Sequence, residues 1–113
     1  MSVTQRKLSD DTWLVHASGR LDQSLNSELE KTLNELLAEG HYQLLVDLSQ
    51  ATYINSGGLR CLVSAWREAR QHGGDVLLCG LNARLKEIFS LVGFDKVFRI
   101  LPNCKDSRAF AEM

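Results

Sequence analysis

Apolar residues recur along this chain with two different periods, and the switches between them outline the fold. Residues 12–19, with Trp13, Leu14, Val15 and Ala17, follow a polar Ser9-Asp10-Asp11 turn and pair naturally with residues 3–8 as a hairpin. From Leu25 the spacing changes. Leu25, Leu29, Leu33, Leu36 and Leu37 return at three and four, with Glu28, Glu30, Lys31 and Glu35 between them, the pattern of an amphipathic helix. Asp22 or Ser24 is placed to cap its first turn and Gly40 to end it. Residues 44–48 (Leu-Leu-Val-Asp-Leu) are too apolar for a strand with one wet face, so they predict a central strand covered on both sides.

A second helix is expected over residues 57–72, with Leu59, Leu62, Val63, Trp66 and Ala69 inward and Gly73-Gly74 as its stop. Residues 75–80 read as another buried strand. Residues 84–92 read as a third helix with Leu85, Ile88, Phe89 and Val92 inward, and 97–101 as a weak last strand before Pro102. Asp106 is a candidate cap for a terminal turn carrying Phe110. The order is β-β-α-β-α-β-α-β-α. It predicts an α/β fold: a mixed, mostly parallel sheet of four to five strands with about four helices packed against it. Right-handed crossovers make the central strands parallel, and partners then meet such a sheet at the carboxyl ends of its strands. Ser56 sits at such an end.

Composition narrows the function classes. A chain of 113 residues is long enough for one domain, taken as residues 1–113, with a hydrophobic core that needs neither disulfides nor a metal. Thirteen basic and fourteen acidic residues give a net charge of −1, without the surplus that holds a nucleic-acid backbone, so no direct nucleic-acid contact is expected. Cys61, Cys79 and Cys104 show no C-x-x-C spacing and read as reduced thiols. The first residues lack a signal-peptide core, and no apolar run approaches the roughly 20 residues that span a bilayer. No membrane insertion and a cytoplasmic location are expected. His16, His41 and His72 are scattered without ligand spacing, so neither metal nor cofactor is expected.

The stretch from Asp47 to Leu59 carries the chemistry. A buried strand runs into a polar turn, then Tyr53-Ile54, then Asn55-Ser56-Gly57-Gly58 opening a helix directly. Backbone N–H groups at a helix start lack intrahelical partners and the helix dipole is positive there, so such an end accepts an anion readily. Gly57 and Gly58 leave the backbone open to close approach. From these features alone Ser56 reads first as a plain helix N-cap.

Tyr53-Ile54-Asn55-Ser56-Gly57-Gly58-Leu59, behind Asp47-Leu48-Ser49, resembles the phosphorylation signature of the STAS, or anti-sigma factor antagonist, family, with Ser56 in the place of the phosphoacceptor serine. Gly19-Arg20-Leu21-Asp22 is similar to the family's Gly-x-Leu-Asp step. Gly73-Gly74-Asp75-Val76 and Leu91-Val92-Gly93-Phe94 are similar to its closing segments. The resemblance spans residues 3–102. Asn55 stands where many members have Asp, and Gly57 where many have a second Ser, Ala or Thr.

The resemblance implies partner switching. The unphosphorylated antagonist binds an anti-sigma factor that is also an ATP-dependent serine kinase; phosphorylation at Ser56 releases it, and a metal-dependent serine/threonine phosphatase resets it. Asp22 and Asn55 then flank the switch, and Gly57, Gly58, Leu59 and Arg60 form the docking surface. A phosphate adds about −1.5 to −2 charge, which a helix N-terminus tolerates. Release is therefore expected from an intact fold, through repulsion or blocking at the surface, with Asp22 adding repulsion. Two other readings are a STAS scaffold that docks without phosphorylation, such as a subunit of a lipid-transport ABC ATPase, and a nucleotide sensor. An enzyme is not expected: the serine is not in G-x-S-x-G, and the glycines fit neither G-x-x-x-x-G-K-[ST] nor G-x-G-x-x-G.

Overall fold

The computed structural model describes residues 2–9 and 11–105. Strands β1 (Ser2–Lys7) and β2 (Thr12–Leu21) form the expected hairpin, antiparallel, with Val3 opposite Ala17. Helix α1 (Gln23–Ala38), strand β3 (Gln43–Ile54), helix α2 (Ser56–Gln71), strand β4 (Asp75–Cys79), helix α3 (Ala83–Leu91) and strand β5 (Ile100–Leu101) follow. The five strands lie in the order β1-β2-β3-β4-β5, parallel from β2 to β5. The α/β class, the single domain and the mixed sheet stand as read from the sequence. Among the described residues there are three α-helices and one 3-10 turn (Phe94–Lys96), against about four helices expected. The terminal turn with Asp106 and Phe110 lies outside the described residues.

Because each parallel strand lies beside the one before it, crossovers of one hand carry every helix to the same side of the sheet. Leu44, Val46 and Leu48 of β3 and Val76 and Leu78 of β4 pack on that side with Leu29, Leu33 and Leu36 of α1, Leu62 of α2 and Phe89 of α3. The five leucines of α1 inferred from the spacing are all 2% exposed or less, and burial of such side chains contributes about 1.5–3 kcal/mol each. On the other side Leu14, Leu45, Leu77 and Cys79 form a small second cluster with Leu8, Leu101 and Cys104 against it. The expected central strand is thus buried on both faces, and among the described residues the helices lie on one of them.

Two further expectations are corrected at the end of the chain. The last strand is shorter than residues 97–101 because a helical turn persists after α3: Phe98 N–H donates to the Phe94 carbonyl at 3.0 Å. That turn drives Phe98 inward, where its ring meets those of Trp66, Phe89 and Phe94 edge-on at 6.1–6.3 Å. Val92 does not face inward; it is 49% exposed, and Leu91 beside it 78%. The cysteines are the other correction. Cys79 and Cys104 are joined as a disulfide, and only Cys61 is a free thiol. They are 25 residues apart in sequence, and the return of the chain along β5 brings them together.

Candidate functional site

The site lies where β3 ends and α2 begins. β3 outruns β4: it pairs with β4 only from Gln43 to Asp47, then continues along β2 until Ile54 meets Leu21. The register shifts between His16 and Ser18 and between Gly19 and Arg20 each set one more residue of β3 against β2, so β3 bulges twice on its way to the site. Asn55 N–H donates to the Leu21 carbonyl at 3.1 Å, so Asn55 and Asp22 emerge side by side from neighbouring strands.

Asn55, not Ser56, is the N-cap of α2. Its backbone is extended, and its Oδ1 accepts from the Gly58 N–H at 3.1 Å. The same Oδ1 accepts from Asn26 Nδ2 of α1 at 2.8 Å. One carboxamide oxygen therefore closes the helix start and ties α1 to it. Ser56 is the first residue of the helix proper and is exposed, so its hydroxyl is free of the capping task that the sequence left open. Asp22 occupies the cap position of α1 but makes no side-chain cap bond; its Oδ2 lies 3.4 Å from Arg20 Nε. Removing the shared acceptor leaves the Gly58 N–H and a buried Asn26 amide without it. Asn55→Ala is expected to cost about 2 kcal/mol in urea denaturation, at the upper end of cap removals.

The remaining candidates divide by burial. Gly58 is buried and Leu59 only 8% exposed, so neither presents much surface; Gly57 is half-buried and Arg60 exposed. Gly58 is required by close packing. A β-carbon there would lie 2.7 Å from Ile54 Cγ1 and 2.9 Å from Asn26 Oδ1.

On one flank of Ser56 opens a groove of about 560 Å³, lined by Tyr53, Leu59, by Arg84, Glu87, Ile88 and Leu91 of α3, and by Val92 just after it. The sequence reading missed this wall. Leu91 falls one residue off the inward row of α3, the only signal that could have marked it. The Tyr53 ring lies between two guanidinium groups, Arg20 at 4.4 Å and Arg84 at 5.7 Å from its centroid. On the other flank, between α1 and α2, Cys61 Sγ lies 3.6 Å from Glu30 Oε2 and 3.8 Å from the Asn26 carbonyl oxygen. Burial, aided by the Glu30 carboxylate, pushes the Cys61 thiol up to about 11. It stays protonated at neutral pH and is a poor nucleophile, which favours its reading as a small packing residue.

Among the described residues no helix is long and apolar enough to cross a membrane. The one cluster of potential metal ligands among them is Asp47, Cys79 and Cys104, whose two sulfurs are bonded to each other.

Comparison with known proteins agrees with the geometry. BtrV of Bordetella bronchiseptica, described as an anti-sigma factor antagonist, is 28% identical over 111 residues, 98% of this chain and 94% of that protein. The anti-sigma-B factor antagonist of Listeria monocytogenes is 24% identical over 100 residues, 88% of each. Among solved structures, an anti-sigma factor antagonist from Thermotoga maritima overlays with a TM-score of 0.81 at 23% identity, covering 94% of this chain and 90% of that one. Unphosphorylated SpoIIAA overlays at 0.76 with 11% identity, covering 93% and 92%. The STAS domain family model matches residues 4–109, and the chain belongs to this family.

Proposed function

We propose that this chain is a phosphorylation-controlled antagonist that catalyses nothing itself and docks on an anti-sigma factor serine kinase. The observation that carries the reading is the exposed hydroxyl of Ser56, in the first turn of α2 and on the rim of the groove. Unmodified, the Asn55–Arg60 turn and the Leu91–Val92 wall offer a partner an apolar surface edged by arginines. The kinase transfers the γ-phosphoryl group of ATP to Ser56 Oγ, the hydroxyl proton leaving to a base of the kinase. A metal-dependent serine/threonine phosphatase hydrolyses the ester and resets the cycle. ATP and metal belong to those enzymes.

Two solved forms of SpoIIAA support an intact-fold switch, since the unphosphorylated and phosphorylated structures overlay on this chain alike, with TM-scores of 0.76 and 0.77. The test is incubation with the cognate kinase and ATP, followed by peptide mass spectrometry. Phosphate is expected on Ser56 and absent from Ser56→Ala, which stays bound to the kinase. Stable co-purification with a transporter ATPase, with Ser56 unmodified, would instead make the chain a scaffold.

A further inference from the structure

The face of the sheet opposite α1, α2 and α3 ends in a second piece of chemistry, remote in sequence from Ser56. Cys79 closes β4, wholly buried, and its sulfur is bonded to that of Cys104, which is half-buried and therefore reachable from solvent. The pocket for the bond is built by Gly80. A β-carbon there would stand 3.2 Å from Cys104 Sγ and 2.8 Å from Ser49 Cβ, so a larger residue would displace the Cys104 sulfur. Asp47, paired with Cys79 across β3 and β4, brings a carboxylate oxygen within 4.8 Å of both sulfurs while accepting from Ser49 N–H and Oγ at 2.9 and 2.6 Å. A carboxylate so close disfavours two thiolates and tolerates an uncharged disulfide.

The bond is not needed to build the core. Leu29, Leu44, Leu62 and Phe89 are 0% exposed on the opposite, helix-covered side of the sheet. What the bond ties to β4 is the described segment after β5, residues 102–104. Beside it, β5 is a strand of two residues, held by the Leu78 N–H donating to the Arg99 carbonyl at 3.1 Å and the Gly80 N–H to the Leu101 carbonyl at 3.3 Å. Held there, Leu101 and Cys104 lie over Leu14, Leu45 and Leu77.

We propose that Cys79 and Cys104 are a reversible oxidation site whose disulfide straps residues 101–104 over the face of the sheet opposite α1, α2 and α3. The oxidant is a low-molecular-weight disulfide such as glutathione disulfide. The Cys104 thiolate attacks one of its sulfurs and expels a glutathione thiolate. The Cys79 sulfur then attacks Cys104 and expels the second. Two protein thiols give up two electrons and two protons, the protons pass to solvent and to the departing thiolates, and one glutathione disulfide becomes two glutathiones. Reduction is the reverse.

The test equilibrates the full chain with glutathione and glutathione disulfide at graded ratios, then traps free thiols with a maleimide in denaturant and maps the peptides. Reduced protein takes up three labels, one per cysteine, and oxidised protein one, on Cys61. Both forms are expected to be populated within the range of ratios. The oxidised form is expected to melt roughly 15 °C above the reduced one, as for closure of a loop of this length. Cys104→Ser, changed at the half-buried position so that the fold is kept, should lose both the oxidised species and the dependence of melting on redox state. A pair that never forms, that maps to Cys61, or that stays fully oxidised in excess reduced glutathione overturns the proposal. So does a melting temperature indifferent to redox state.

Discussion

Gly58→Val is expected to lower the melting temperature by roughly 10–15 °C, corresponding to about 3 kcal/mol for a domain of this size. The reason is geometric. The first turn of α2 crosses α1 so closely that the space for a β-carbon is already taken by Ile54 Cγ1 at 2.7 Å and Asn26 Oδ1 at 2.9 Å. Ile54 is 2% exposed and Asn26 is held by its bond to Asn55, so neither can yield cheaply. Valine adds two methyl groups to that collision and a β-branch at the helix start. Relief requires α2 to lift from α1 or the Asn26–Asn55 bond to break, and either loosens the turn that presents Ser56. Gly57→Ala is the control. Its β-carbon would press on Asn26 Nδ2 at 3.0 Å and Asn55 Oδ1 at 3.3 Å, the two atoms of that same bond, but with a single methyl group and no contact under 3.0 Å a smaller loss is expected. Thermal denaturation by circular dichroism decides between them. Equal stability of Gly58→Val and wild type would show that the turn has slack. The sequence alone made Gly58 part of a docking surface; with the residue buried, any loss of partner binding in this variant is a loss of the fold's local shape.

Where burial follows a simple period, the sequence was readable almost to the residue. The leucines of α1 needed only spacing to be assigned inward, and the polar-plus-glycine step after Ile54 announced a helix start at the end of a strand. The site was legible as a segment for the same reason. Its internal division of labour was not, because it depends on Asn26. In the pattern of α1, Asn26 is one more polar residue; only the approach of two helices turns it into the donor that fixes Asn55 and frees Ser56. The groove wall was missed because α3 stops at Leu91, so two apolar residues expected to continue the helix or its inner face emerge at its end. The Cys79–Cys104 pair was unreadable in principle from spacing. It depends on β5 returning beside β4, and a two-residue strand leaves almost no periodic trace.

Phosphorylation of Ser56 is expected to leave the fold intact and to weaken kinase binding about 100-fold, the effect of roughly 2.7 kcal/mol. The two halves of this expectation rest on different surroundings of one hydroxyl. Toward the protein, the phosphate meets the amino end of a 16-residue helix, where negative charge is worth about 0.3–1 kcal/mol in its favour, and a rim on which Arg84 and Glu87 offset each other. The melting temperature should therefore move by no more than about 5 °C, upward if at all. Toward the partner, the same group places about −1.5 to −2 charge at the mouth of a groove walled by Leu59, Ile88, Leu91 and Val92, and burying it there would strip its water. Asp22, whose carboxylate lies 3.4 Å from Arg20 Nε, is expected to add little to that repulsion. Ser56→Asp carries one charge on a shorter arm and should weaken binding less than the phosphate does; Ser56→Ala should bind as the unmodified chain. Calorimetric titration of the kinase with each form, beside a melting curve of each, separates charge at the surface from damage to the fold. A phosphorylated form that melts far below the unmodified one would mean that release works by unfolding the turn, and that the helix end is not the tolerant anion site its geometry describes.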